Sequence, residues 1–95
     1  MKTRGIYALV DKKLEDATEI FMRANDLVAA RDYEEYCKKI PEYVRHPEDY
    51  CLIKVGEIDE NLKVTACKAA VVAEAETIIS AAKEEAKKAK ENSND

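Results

Sequence analysis

The residues able to do chemistry are few and scattered. His46 is the only histidine, with Glu48 and Asp49 close behind it. An imidazole beside carboxylates can bind a metal or exchange protons near neutral pH. A metal centre, however, needs three or four ligands converging in suitable geometry. The remaining soft ligands, Cys37, Cys51 and Cys67, are spread over 30 residues and have no Cys-x-x-Cys spacing. His46-Pro47-Glu48-Asp49 therefore reads as a structural loop. Pro47 stiffens it, and Glu48 or Asp49 accepts backbone N–H groups. No metal and no cofactor are expected. Cys37 and Cys51 read as small core hydrophobes. Cys67 reads as the start of a final helix, where the helix N-terminus would favour a thiolate. Gly5 and Gly56 are the only glycines, so no Gly-rich phosphate loop can form. No nucleophile–base pair is evident either, and the chain is expected not to be an enzyme.

Nucleic-acid binding would need cations interleaved with stacking aromatics. Lys2, Arg4, Lys12 and Lys13 surround the first apolar run, and Arg31 and Arg45 lie further on. Tyr7, Tyr43 and Tyr50 could stack on bases. Against this stand 20 acidic residues, 16 basic ones and a formal net charge of −4. Phosphate contact dominates such affinities, so the net repulsion counts against DNA. The mixed charge also leaves no uncharged run long enough for a membrane span, and the apolar run after Gly5 is too short for a signal peptide. An odd number of cysteines points to free thiols in a reducing cytoplasm.

The elements that must position these residues can be read in outline. Ile6–Val10 is a short strand without alternation, predicting burial on both faces or a central place in a sheet. Residues 14–24 read as partly helical or irregular. Asn25-Asp26 is a helix N-cap signal. Ala29, Tyr33, Tyr36, Cys37 and Ile40 then share one face of a helix that Pro41 ends. A loop leads to a strand over Tyr50–Ile58, a turn at Asp59-Glu60-Asn61, and a return strand Leu62–Ala66. From Cys67 the chain is Ala-rich. Val71, Val72, Ala75, Ile78, Ile79 and Ala82 read as a packing or oligomerisation seam of a long helix. The division is 1–66 as a small α+β domain, 67–91 as the helix and 92–95 as a polar tail. The fold class is α+β: a two- to three-stranded antiparallel-type sheet, one packed helix and the long Ala-rich helix. Of the apolar residues 14 are Ala, so the core is thin and homo-oligomerisation is expected.

Three stretches together resemble one family. They are Ile6-Tyr7-Ala8-Leu9-Val10-Asp11; Asn25-Asp26 with Ala29, Arg31 and Tyr33; and His46-Pro47-Glu48-Asp49-Tyr50 followed by a strand and Gly56-Glu57-Ile58-Asp59. The pattern resembles the small nonstructural protein of gokushovirus-type microviruses, the small single-stranded-DNA phages, over roughly residues 4–66. Ile58 stands where that family usually has Phe, and the Ala-rich helix lies outside the pattern. The resemblance implies a nonstructural phage protein in the bacterial host cytoplasm, serving DNA replication or the switch to packaging. It carries no catalytic residues over.

Taken together, these readings predict a protein that acts by binding. It would be a phage accessory factor in single-stranded-DNA genome replication or packaging, working as a homo-oligomer with a viral or host protein. The alternatives are direct single-stranded-DNA binding by the basic first strand, and a protein-interaction module built on the C-terminal helix.

Overall fold

A computed structural model describes residues 2–92. Its elements are β1 (Thr3–Asp11), β2 (Asp16–Arg23), α1 (Asp26–Lys39), α2 (Pro41–Arg45), a 3-10 turn (Pro47–Asp49), β3 (Tyr50–Asp59), β4 (Val64–Glu74) and α3 (Ala75–Asn92). The class is α+β. The sheet has four antiparallel strands, not two or three, in the order β2-β1-β3-β4. Three helices accompany it, not two.

Two corrections account for the difference. Residues 16–23 form an edge strand rather than a helical or irregular connection, with Tyr7 opposite Phe21 and Ala8 opposite Ile20. Asp11 closes the β1–β2 turn by accepting from the N–H groups of Lys13 and Leu14 at 3.0 and 3.2 Å. Glu15 supplies the left-handed residue at φ 54°. The second correction concerns the Ala-rich stretch. β4 runs unbroken through residue 67 to Glu74, and the helix begins only at Ala75. The sequence division at 66/67 thus falls inside a strand, and Cys67 is an exposed strand residue rather than a helix start. The expected polar tail lies, apart from Asn92, outside the described residues.

α1 forms where its signals predict. Asn25 is extended, and its side chain accepts from the Val28 N–H at 2.9 Å. Asp26 lies in the first turn and Lys38 and Lys39 in the last, matching the helix dipole. Pro41 then sits in the first turn of a second helix, where its missing N–H costs nothing. The His-Pro-Glu-Asp segment, expected as loop, is this helix's cap and a 3-10 turn.

Sheet pairing determines which side chains share a face. Tyr7, Leu9 and Leu52 point to one side, where Ala29, Tyr33 and Cys37 of α1, Tyr43 of α2, and Ala75 and Ile79 of α3 complete one buried cluster. Tyr43 is its aromatic hub, stacked on Tyr50 at 3.9 Å and edge-on to Tyr36 at 5.1 Å. All the helical residues of this core lie on that one side. β1 is indeed central, with β2 and β3 as neighbours.

Candidate interaction surface

Residues of all three stretches converge at the N-terminus of α1. Tyr7 donates its hydroxyl to Asp26 Oδ1 at 2.7 Å. Lys54 donates to Glu57 at 2.9 Å and approaches Asp26 at 3.7 Å. Burial, reinforced by the bond to Asp26, pushes the Tyr7 phenol up. The hydrogen bond to Glu57 holds the Lys54 ammonium above its ordinary value. This network pins α1 to the sheet by four side chains from three elements, β1, α1 and β3. Gly56 has a related reason. A Cβ there would meet the Thr65 carbonyl of β4 at 2.8 Å.

The remaining motif residues are also tied into the frame. Ala29 and Tyr33 are buried under the sheet. The Lys12 N–H donates to the Asp49 carbonyl at 2.8 Å, joining the His-Pro-Glu-Asp segment to the β1–β2 turn. Side-chain atoms of His46, Glu48 and Asp49 lie within 4.8 Å of one another. His46 and Glu48 are exposed, with Nδ1 to Oε1 at 3.8 Å. Exposed acidic groups commonly cluster so without an ion.

The six cations considered for DNA do not form one patch. Lys2 and Arg4 line a groove at one end of β1. Lys12 and Lys13 lie at the other end, and Lys12 pairs with Glu74 at 2.7 Å. Arg31 is on an exposed part of α1, 3.9 Å from Asp32, and Arg45 pairs with Glu42. Tyr7 and Tyr43 are buried in the core, where bases cannot reach them. The seam residues divide as well. Ala75 and Ile79 are buried, Ile78 and Val72 pack against the core, Ala82 is half-buried, and Val71 points to the opposite face of the sheet.

That opposite face is the surface that the sequence did not disclose. Register places Ile20, Ala8, Ile53 and Val71 in one row across all four strands. Met22, Ile6, Gly56 and Ala66 form the next row, and Arg4, Ile58 and Val64 the row beyond. Ile20 is 64 % exposed, Val71 57 % and Val64 60 %. Across these rows Arg4 is the lone charged residue. The Lys12–Glu74 pair closes the far end, over Cys51. The signal existed in the alternation Glu19-Ile20-Phe21-Met22-Arg23, which sends Phe21 to the core and Ile20 and Met22 to the other side.

At the Arg4 end the face opens into a groove of about 500 Å³ lined by Lys2, Arg4, Met22, Ile58, Glu60 and Leu62, among others. Leu62 is 78 % exposed and holds a left-handed backbone at φ 65°. A branched side chain in that region is strained.

An α+β layer with helices on one side and an uncovered apolar sheet on the other is the architecture of a protein with a surface left to fill. The chain belongs to the Phage ORF5 protein family, whose model matches residues 4–83, and it is thus a member of a phage protein family. The match runs beyond residue 66, through β4 and into α3, so the first turns of the helix are part of the family pattern after all. No curated protein and no solved structure matches the chain.

Proposed function

We propose that this protein is a nonstructural phage accessory factor of the gokushovirus type. It acts by binding rather than catalysis, as a homo-oligomer, in single-stranded-DNA genome replication or packaging in the host cytoplasm. The observation that carries the binding role is the apolar face spanning β2, β1, β3 and β4. An apolar surface drawn from all four strands of a small domain is of the kind that binds a partner. The motif residues support the same reading, since Tyr7, Asp26, Lys54 and Glu57 secure the frame and leave the surface to do the work. A protein–protein role fits the charge better than direct DNA contact does. The six candidate cations occupy separate places, and three of them lie within 4.0 Å of a carboxylate.

The native mass tests this reading. Sedimentation equilibrium from 1 to 100 µM should show reversible self-association in that range. A strict monomer throughout would remove the homo-oligomer.

A further inference from the structure

β2 ends the sheet on one side, and no strand pairs with its outer edge. Such an edge presents unpaired N–H and C=O groups, and what those groups recognise is another extended backbone. The two edges of this sheet differ. β4 slips against β3 at two places, between Leu52 and Ile53 and between Lys54 and Gly56. Bulges of that kind spoil an edge for pairing. β2 slips against β1 once, at Thr18. From Glu19 to Arg23 it runs in unbroken register opposite Leu9 to Gly5, and this segment holds no proline. We infer that two copies of this chain join antiparallel along β2, about a two-fold axis through Phe21, into one eight-stranded sheet. This rests on the homo-oligomer reading above and names its contact.

The regular segment itself selects a second copy as the partner. Glu19-Ile20-Phe21-Met22-Arg23 complements its own reverse. An axis at Phe21 sets Glu19 opposite the partner's Arg23 and Ile20 opposite the partner's Met22, each twice, as a closed two-fold contact requires. Opposite charges facing each other across a strand pair stabilise it, and like charges weaken it. An axis at Glu19 would set that carboxylate against its own copy, and one at Ile20 would set it against the partner's Phe21. The faces also agree. Glu19, Phe21 and Arg23 line one small cavity on the helix-covered side with Asp32 and Tyr33, whereas Ile20 and Met22 lie on the other side. An axis normal to the sheet through Phe21 keeps each set with its like. The charges are available for this. Among the described residues Glu19 has no cation within 4.0 Å. Arg23 gives Nε to Asp32 and Nη1 to the Met22 carbonyl, both at 2.7 Å, which leaves Nη2 for an incoming carboxylate. The Met22 carbonyl keeps a second lone pair for strand pairing. Ile20 and Met22 are 64 % and 48 % exposed, so each covers part of the other across the axis. The apolar faces of the two copies then run on into one another.

The test uses the full chain and two variants at exposed positions, Glu19→Arg on the β2 edge and Val71→Glu on the apolar face. Circular dichroism and thermal melting establish that each still folds. Sedimentation equilibrium is expected to show a dimer for the parent, one about tenfold weaker for Glu19→Arg, where two attractive cross-strand pairs become repulsive, and an unchanged one for Val71→Glu. Hydrogen exchange read residue by residue should slow within Glu19–Arg23 as the concentration rises through the dimerisation range, with no such change in β4. A monomeric parent overturns this inference together with the homo-oligomer. A dimer without added protection in β2, or one lost with Val71→Glu, overturns the edge contact and leaves self-association through another surface. Protection of β2 with a Glu19→Arg dimer as tight as the parent's overturns the axis at Phe21.

Discussion

Gly56 stands where two backbones nearly touch. A Cβ at that position would lie 2.8 Å from the Thr65 carbonyl, and a backbone oxygen has little room to give. Gly56→Ala should therefore shift the β3–β4 pairing and cost about 1–3 kcal/mol, read from urea unfolding. Gly5 faces a softer obstacle, the far end of the Tyr7 side chain, but that phenol is buried and bonded to Asp26. Tyr7→Phe, which removes the bond and little else, should cost about 1–2 kcal/mol by the same measurement. The buried thiols and phenols give a third residue-scale prediction. Burial pushes Cys37 from an ordinary 9.0 up to about 11. Cys51, Tyr7, Tyr33 and Tyr43 are raised for the same reason. Each of these groups is neutral when protonated, so the fold resists their ionisation while the unfolded chain does not. Their contribution is intact below the unfolded value and is lost as pH rises through the window of about 9 to 11 for Cys37. The unfolded state then binds fewer protons, and stability falls by at most about 1.4 kcal/mol per pH unit per group. Melting temperature should thus be flat from pH 7 to 8.5 and drop steadily above 9. At pH 8 a thiol reagent should modify exposed Cys67 rapidly, and Cys37 and Cys51 only after denaturation.

At the scale of elements, α3 joins two unlike halves. Ala75 and Ile79 are buried in the common core, Ala82 is half-buried, and residues 83–89 are exposed. The family match ends at Lys83, close to where burial ends. Deleting residues 84–95 should leave the melting temperature within a few degrees of the full chain. Ile79→Ala should cost about 2–4 kcal/mol in urea unfolding, since it leaves a cavity where three helices meet the sheet. The same boundary shows what sequence patterning can carry. α1 was legible because Asn25, Pro41 and the spacing from Ala29 to Ile40 act locally. Of β4 only the start, Val64–Ala66, was legible as a return strand; beyond it Ala69, Ala70 and Ala73 favour a helix on intrinsic propensity. Pairing with β3 overrides that preference. Ala70 sits opposite Lys54 and Ala73 opposite Leu52, on the helix-covered side of the sheet. β2 was obscured for a related reason. Its apolar residues are divided between the two faces, with Phe21 against the core and Ile20 and Met22 away from it, so a short window fits a helical stripe as well as a strand. The motif network was visible as residues but not as a site. Nothing in the sequence shows that Tyr7, Asp26, Lys54 and Glu57 meet, since register and helix placement bring them together.

For the molecule as a whole, the question is what a net charge of −4 permits. A protein that holds single-stranded DNA directly tracks the phosphates with a continuous cationic groove. Here Lys2 and Arg4 lie at one end of β1 and Lys12 and Lys13 at the other, a separation of roughly 30 Å at about 3.3 Å per strand residue. Lys12 is engaged by Glu74, and Arg45 by Glu42. Fluorescence polarisation of a labelled 30-nucleotide strand should therefore show no saturable binding at 150 mM salt up to about 50 µM protein. Binding should be weak at 20 mM salt and fall with a shallow slope, since few counterions are released. A tight, salt-steep signal from the parent chain would instead place DNA on the protein itself, and the cationic ends of β1 would become its contact surface.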